Sequence, residues 1–318
     1  MRATVNTDIM PSAARKRGMR LMGNQFEITV VSDDKEFAEH CINEAVREIS
    51  RIETLLTTYN EKSQTNQINK FAGIQPVQVD KEVIDLLARS IKISQLTQGA
   101  FDITYGSVDK SLWNFDTTMS ALPDKATAKQ SVRLINYRNI VLDQENSTVF
   151  LKEKGMRIGF GGIGKGYAAR CAKKTLENMG VKSGIVNASG DLAAWGTQPD
   201  GKPWTVGIAD PNSRNVPFSY LNISDLAIAT SGSYEKYVMI GGKKYSHTID
   251  PKTGFPVSGI KSVTVICPDP ELADAMATPI SVMGIQPALY LINQMKDIAC
   301  IIIDDDDKIY TSNNIKMT

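Results

Sequence analysis

The chain has 318 residues, long enough for a substantial core in one large domain or two subdomains. Hydrophobic residues at 42% and charged residues at 22% fit an ordinary soluble globular protein. A formal net charge of +1 argues against nucleic acid or an anionic membrane as a global partner, although a local anion site remains compatible with it. Cys41, Cys171, Cys267 and Cys300 lie far apart without metal-ligand spacing and read as free buried thiols. The first residues carry scattered basic side chains and no apolar run suited to a signal peptide or transmembrane segment. As written the chain is therefore expected in the cytoplasm, or in the periplasm or cell envelope if an export segment has been removed.

In chain order, residues 25–30 alternate polar and apolar and predict a half-buried strand. A helix follows from Asp33-Asp34 to about Leu56, with Phe37, Cys41, Ala45, Ile49, Ile52 and Leu56 at helical spacing. His40 falls on its opposite, solvated face beside Glu44, Arg47 and Arg51. That leaves His247 as the second of two histidines. Residues 57–80 are polar and turn-rich. A second helix is expected over 81–97, with Gly99 as its C′ glycine. Residues 99–106 and 112–115 set aromatics beside an aspartate, which suits either a cofactor wall or a buried loop. A third amphipathic segment covers 126–134, and 140–142 with 148–151 predict a hairpin.

Residues 156–159 then lead through a glycine turn into a helix over 165–179, stopped by Gly180. The second half reads as short strands at 184–186, 204–209, 226–229, 236–240, 263–267 and 299–303. Helices near 271–283 and 286–295 are inserted among them. Asp304 to Asp307 reads as a solvated hairpin turn, because a calcium loop needs spaced ligands. Together these elements indicate an α+β protein with mixed, largely antiparallel sheets and flanking helices.

Five stretches could carry chemistry: Asn187 to Asp191 and Thr230 to Glu235, small and polar runs at the ends of predicted strands where loops gather into a site, and the three described next. Gly159 to Gly166 is glycine-dense between a strand and a helix, so its backbone can approach an anion at the helix N-terminus. It is neither a P-loop nor a Rossmann fingerprint. His247 sits in Ser-His-Thr-Ile-Asp-Pro-Lys-Thr-Gly254, a run of turn formers, where an imidazole is well placed for proton transfer. Asp274 and Thr278 stand four residues apart on one helical face and offer two hard oxygen donors suited to magnesium and phosphate chemistry. A structural turn followed by a capped core helix accounts for the last two stretches equally well.

The order of these motifs resembles the ApbE family of flavin transferases, which move FMN from FAD onto a protein threonine or serine. The resemblance runs from Met22-Gly23 through Thr57-Thr58-Tyr59, Ser63, Asn69, Gly99-Ala-Phe-Asp102 and Trp113-Asn-Phe115. It continues in Gly161-Gly-Ile-Gly-Lys-Gly-Tyr-Ala168, Asn187 to Asp191, Thr230-Ser-Gly-Ser-Tyr234, the His247 motif, and Ala273-Asp274 to Thr278.

The resemblance implies an N-terminal extension over 1–21 and one ApbE-like, T-fold-like domain over 22–318, with two intertwined subdomains and the flavin between them. It implies that Met22, Tyr59, Ala100, Phe101, Asp102, Lys165, His247 and Ile249 line the FAD site, with Lys165 near the diphosphate or adenylate half. Asp274, Thr278 and a carbonyl at about Gly162 would ligate Mg2+, and His247 would be the base. The implied partners are FAD as substrate and flavin-carrying subunits of membrane respiratory complexes, of the sodium-pumping NADH:quinone reductase or Rnf type. An FAD pyrophosphatase and a non-catalytic FAD-binding protein are the alternatives. Two positions depart from the family pattern: Gly159 and Arg170 stand where aspartate is usual. The first removes a flavin contact or shifts it elsewhere, and the second sets a base against the helix dipole, a cost of a few tenths of a kcal/mol.

Overall fold

The computed structural model describes residues 13–109, 121–210, 213–232 and 237–315. The aromatic stretch 112–115 and residues 233–235 of the Thr230 motif lie outside the described residues. The chain opens with strands β1 (Ala13–Leu21) and β2 (Asn24–Ser32), helices α1 (Lys35–Leu56) and α2 (Gln64–Lys70), strand β3 (Val77–Gln78) and helix α3 (Lys81–Leu96). A 3₁₀ turn (Ile103–Ser107), α4 (Lys125–Ser131), β4 (Ile140–Asp143), β5 (Thr148–Leu151) and α5 (Gly164–Asn178) follow. Next come β6 (Gly184–Ala188), β7 (Asp191–Trp195), β8 (Trp204–Asp210), β9 (Ser213–Ile223), β10 (Leu226–Gly232), β11 (Tyr237–Ile240) and β12 (Lys243–Ser246). The chain closes with β13 (Ile260–Cys267), α6 (Pro270–Met283), α7 (Ile285–Ile292), β14 (Ala299–Asp304) and β15 (Ile309–Thr311).

Eight strands form one sheet in the order β1-β2-β6-β7-β10-β13-β14-β15, and each of its described pairings is antiparallel. Period-two alternation gives the sheet two apolar faces. Phe26, Ile28, Val30, Ala227, Ala229, Val263 and Val265 join the main core with α1, α5 and α6. Val31, Ile185, Leu192, Ala194, Ile228 and Ile266 pack on the other side with Trp204 and Ile223, so the β8–β9 hairpin covers that face. A smaller sheet, β3-β5-β4, contains the predicted hairpin. The fold is α+β with helices flanking antiparallel sheets, as expected. Among the described residues no helix is long and apolar enough to cross a membrane.

Several local expectations need correction. The sheet begins before residue 22, because β1 pairs with β2 along its whole length, from Ala13↔Ser32 to Leu21↔Asn24. As an edge strand it buries one face only partly, so its basic residues hide the alternation; Lys16 pairs with Glu27 and Arg17 with Asn43. Residues 57–80 hold a short helix, α2, whose N-cap Ser63 accepts from Asn66 N. After α3 the left-handed C′ residue is Gln98 (φ 52), and Gly99 is C″, with Gly99 N donating to Ser94 O at 2.7 Å. Gly180 does hold the C′ position of α5, with Val181 N donating to Leu176 O. The four cysteines are free.

Candidate active site

Two helices meet because one of them lacks a side chain. A Cβ on Gly166 of α5 would lie 2.1 Å from Pro270 O and 2.7 Å from Asp274 Cβ. This close approach lets Gly166 N donate to Asp274 Oδ2 at 2.8 Å. Asp274 is buried at 6% exposure, and its other oxygen lies 3.9 Å from Lys165 Nζ. The Lys165 ammonium also forms a short ion pair with Asp191, which β7 buries at 4% exposure. One turn beyond Asp274 on α6, the half-buried Thr278 Oγ1 lies 3.4 Å from Ser231 Oγ of β10.

The electrostatics are unbalanced. Two buried carboxylates share one ammonium, so the cluster is net negative only when both acids are ionised. Burial, and then the charge of Asp274, push the Asp191 carboxyl up to about 7 against the pull of Lys165. Burial also raises Asp274, opposed by Lys165 and the Gly166 N–H. Burial works against the Lys165 charge, but Asp274 and Asp191 outweigh it and hold the lysine above its ordinary range. A carboxylate and a hydroxyl on one helical face, beside the glycine turn and a second buried acid, offer hard oxygen donors that can hold a hard divalent cation. Among the described residues, Glu48, Glu82 and Cys171 are also spaced for a metal, but Arg51 bonds both glutamates at 2.7 to 2.9 Å and neutralises them.

Met22 and Phe101 reach the glycine turn. A Cβ on Gly164 would lie 3.7 Å from Met22 Cε, and one on Gly162 would lie 3.6 Å from Phe101 Cε2. Met22 and Gly23 both have positive φ, 51° and 71°, the two-residue turn that matches strand twist in a hairpin. A non-glycine residue in that region is strained by ~1–2 kcal/mol. Entry to the turn is fixed by Asn69, whose amide donates to Ile158 O (3.1 Å) and accepts from Ile158 N (2.7 Å). Gly159 N donates to Ile103 O, and a Cβ on Gly159 would meet nothing within 4 Å, so the aspartate usual in the family would fit.

Residues 100–107 bridge to the histidine turn. Ala100 and Phe101 are buried. Asp102 caps the 3₁₀ turn, accepting from Thr104 N (2.8 Å), Thr104 Oγ1 (2.6 Å) and Tyr137 N (3.0 Å). Burial raises its pKa, opposed by those hydrogen bonds. At the far end Tyr105 OH accepts from Ile249 N at 3.0 Å. The Ile249 side chain packs into a small core with Val108 and Val132. The turn itself is tied by Asp250, which accepts from Lys252 N (2.8 Å) and Thr253 Oγ1 (2.9 Å). His247 is exposed on it.

The structure thus gathers Met22, Phe101, Gly162, Lys165, Asp274 and Thr278 around the glycine turn. Residues 100–107 connect that group to Ile249 and the His247 turn. Tyr59 is 98% exposed on the loop after α1, where Ser63 Oγ donates to Thr57 O and Asn66 bonds the carbonyls of Thr58 and Asn60.

Sequence reasoning placed Asp191 within the candidate stretch Asn187 to Asp191 but gave it no partner and no part in the metal site, although an acid opening a strand that is otherwise apolar is a usable signal. It also missed Glu271, whose buried carboxylate takes Arg89 at 2.5 and 3.0 Å and Arg170 at 2.7 Å. Arg170 is therefore no liability. It lies beyond the first turn of α5, where the dipole term fades, and it ties α5 to the N-terminus of α6.

The sequence matches the ApbE family over residues 22–302. A Klebsiella pneumoniae protein named FAD:protein FMN transferase is 29% identical over 295 residues, covering 92% of this chain and 90% of the relative. One of the same name from Salmonella typhimurium is 30% identical over 296 residues, covering 90% and 83%. Among solved structures, the ApbE protein of Thermotoga maritima superposes with a TM-score of 0.84 at 28% identity, covering 95% of this chain and 97% of that one. The apo flavinyl transferase ApbE of Pseudomonas stutzeri gives 0.82 at 25% identity, covering 96% of each chain. With the motifs in order, the same fold and a family match across most of its length, the chain belongs to the ApbE family.

Proposed function

We propose that this protein transfers FMN from FAD to a threonine or serine hydroxyl of an acceptor flavoprotein and releases AMP. The observation that carries this reading is the buried Asp274–Lys165–Asp191 cluster at the glycine turn, with Thr278 one helical turn away. Its paired acids and hard oxygen donors fit Mg2+ held by Asp274, Thr278 and the Gly162 carbonyl. When bound, magnesium would offset the charge of the FAD diphosphate and of departing AMP.

The chain's own groups then have distinct tasks. N–H groups of the turn after Gly161 hold the phosphates in line, and Lys165 keeps the cluster from repelling them. Met22, Phe101 and Ala100 form an apolar edge for the flavin. His247, on its exposed turn, takes the proton from the acceptor hydroxyl. That oxygen forms a bond to the phosphorus of the FMN half, and the bond from this phosphorus to the bridging oxygen breaks. AMP leaves with the bridging oxygen. By family analogy the acceptors are subunits of sodium-pumping NADH:quinone reductase or Rnf-type complexes.

The test is incubation with FAD, magnesium and such a subunit, followed by a denaturing gel. Flavin fluorescence that stays with the acceptor band supports transfer. Free FMN and AMP without a labelled band indicate a pyrophosphatase, and intact FAD indicates a binding protein. Asp274→Ala is expected to abolish magnesium-dependent turnover; activity with unchanged magnesium dependence would refute the ligand assignment.

A further inference from the structure

A cavity of ≈ 430 Å³ opens between the loop at Gln98 to Asp102, α4 with the segment after it, and the turn at Pro251-Lys252. That size suits a ligand of several groups rather than one small ion. Its lining carries four exposed cations from three separate stretches: Lys129, Arg133, Arg138 and Lys252. Among the described lining residues the one acid is Asp102, which is engaged by Thr104 and Tyr137 and feels the charge of Arg138. Among the described residues none of the four cations makes an ion pair. A near-neutral chain has thus concentrated positive charge in one concavity.

The cleft is built rather than incidental. Lys129 Nζ donates to Lys252 O at 2.6 Å, joining α4 to the histidine turn. Gly254, at φ 78°, packs so tightly that a Cβ there would lie 1.8 Å from Ala128 O. Arg138 stacks on the Tyr137 ring at 4.7 Å. The rim is therefore held against the same turn that carries His247, and against the loop that carries Phe101. Four long basic side chains drawn from three stretches of chain suit several spaced carboxylates rather than one phosphate.

We propose that this cleft docks an acidic stretch of the protein acceptor and presents the acceptor's hydroxyl to the His247 turn. The proposal rests on the transferase reading and adds to it where the acceptor binds. The experiment uses the full chain loaded with FAD and a fluorescein-labelled peptide of alternating aspartate and serine, read by anisotropy. Peptide affinity should weaken about tenfold in Arg133→Glu/Lys252→Glu, which keeps the Lys129 bond to Lys252 O, and less in the milder Arg133→Gln/Lys252→Gln. Raising salt from about 0.02 M to 0.3 M should weaken it in the unchanged protein and have a smaller effect in the variants. FAD cleavage without acceptor should stay the same in all three proteins. Unchanged peptide affinity in both variants would overturn the proposal. So would displacement of the peptide by low millimolar inorganic phosphate, which marks a small-anion site, or an equal loss of FAD affinity, which assigns the cleft to the flavin pocket. Peptide binding is read without transfer, so failure of the transferase reading shows separately, as an unlabelled acceptor in the unchanged protein.

Discussion

Replacing Gly166 by alanine tests whether the close approach of α5 and α6 builds the site. The added methyl would start 2.1 Å from Pro270 O and 2.7 Å from Asp274 Cβ. An ordinary contact is ~3.5 Å, so the helices must part by more than ~1 Å. Both obstacles are backbone or first side-chain atoms, which cannot swing aside. Overpacking of this kind costs ~1–3 kcal/mol. Loss of the 2.8 Å bond from Gly166 N to the Asp274 carboxylate adds ~1.5–3 kcal/mol. Alanine returns only ~1 kcal/mol of helix propensity. The expected net is destabilisation of about 1.5–5 kcal/mol, seen as a fall of roughly 2–7 °C in the thermal midpoint of a chain this long. Because Asp274 is the group displaced, the magnesium concentration for half-maximal FAD cleavage should rise by more than the KM for FAD. Gly161→Ala is the control, since a Cβ there meets nothing within 4 Å and should move the midpoint little. A Gly166→Ala protein within 1 °C of the parent (~0.7 kcal/mol), with an unchanged magnesium response, would refute the argument.

His247→Ala should lower transfer by ~10²–10⁴ while FAD binding, followed by equilibrium titration, stays within a few-fold; unchanged transfer would remove the imidazole as base. Arg170→Ala leaves Glu271 with Arg89 and should cost only ~1 kcal/mol in urea unfolding. The Arg89→Ala/Arg170→Ala pair leaves a buried carboxylate without a cation and should cost ~3–5 kcal/mol, more than the two single losses together. For pH, the folded Asp191 carboxyl, pushed up to about 7, lies above its ordinary 3.8, so folding favours its protonated form. That stability is present below about pH 4 and is lost as pH rises toward about 7. Without magnesium, the thermal midpoint should therefore fall more from pH 5 to pH 8 in the parent than in Asp191→Asn, and parallel profiles would contradict the assignment.

How much was legible depended on whether a signal was local. The period of α1 and the stop at Gly180 are one-dimensional patterns, and both appear where expected. Strand β1 was not legible, since Arg15-Lys16-Arg17 sets basic residues on both faces of an edge strand that is only partly buried on one. Strand β7 reads as a continuous apolar run because it is covered on both faces, and nothing local separates such a run from a buried helix turn. Asp274 and Thr278 could be paired from their four-residue spacing. Lys165 and Asp191, 26 residues apart, become partners through the antiparallel return of β7 beside α5. No sequence period encodes that. The Arg170 departure looked unfavourable for the same reason: its partner, Glu271, lies 101 residues away.

The places where local rules are broken are the places where the site is assembled. Met22 adopts a conformation that suits glycine, and its side chain is thereby brought over Gly164. Gly166 gives up helix propensity inside α5, and the contact it allows brings a backbone N–H to Asp274. Asp191 occupies a buried strand position where an apolar residue would be less costly, and it holds Lys165 beside the α6 carboxylate. Each exception works against stability when considered alone, and each points at the same glycine turn. Consistency elsewhere in the fold supplies the stability that tolerates them. Their convergence is a stronger argument for a functional centre than the glycine turn by itself, because strand-to-helix turns use glycine for packing alone, whereas packing gives no reason to bury two acids against one lysine.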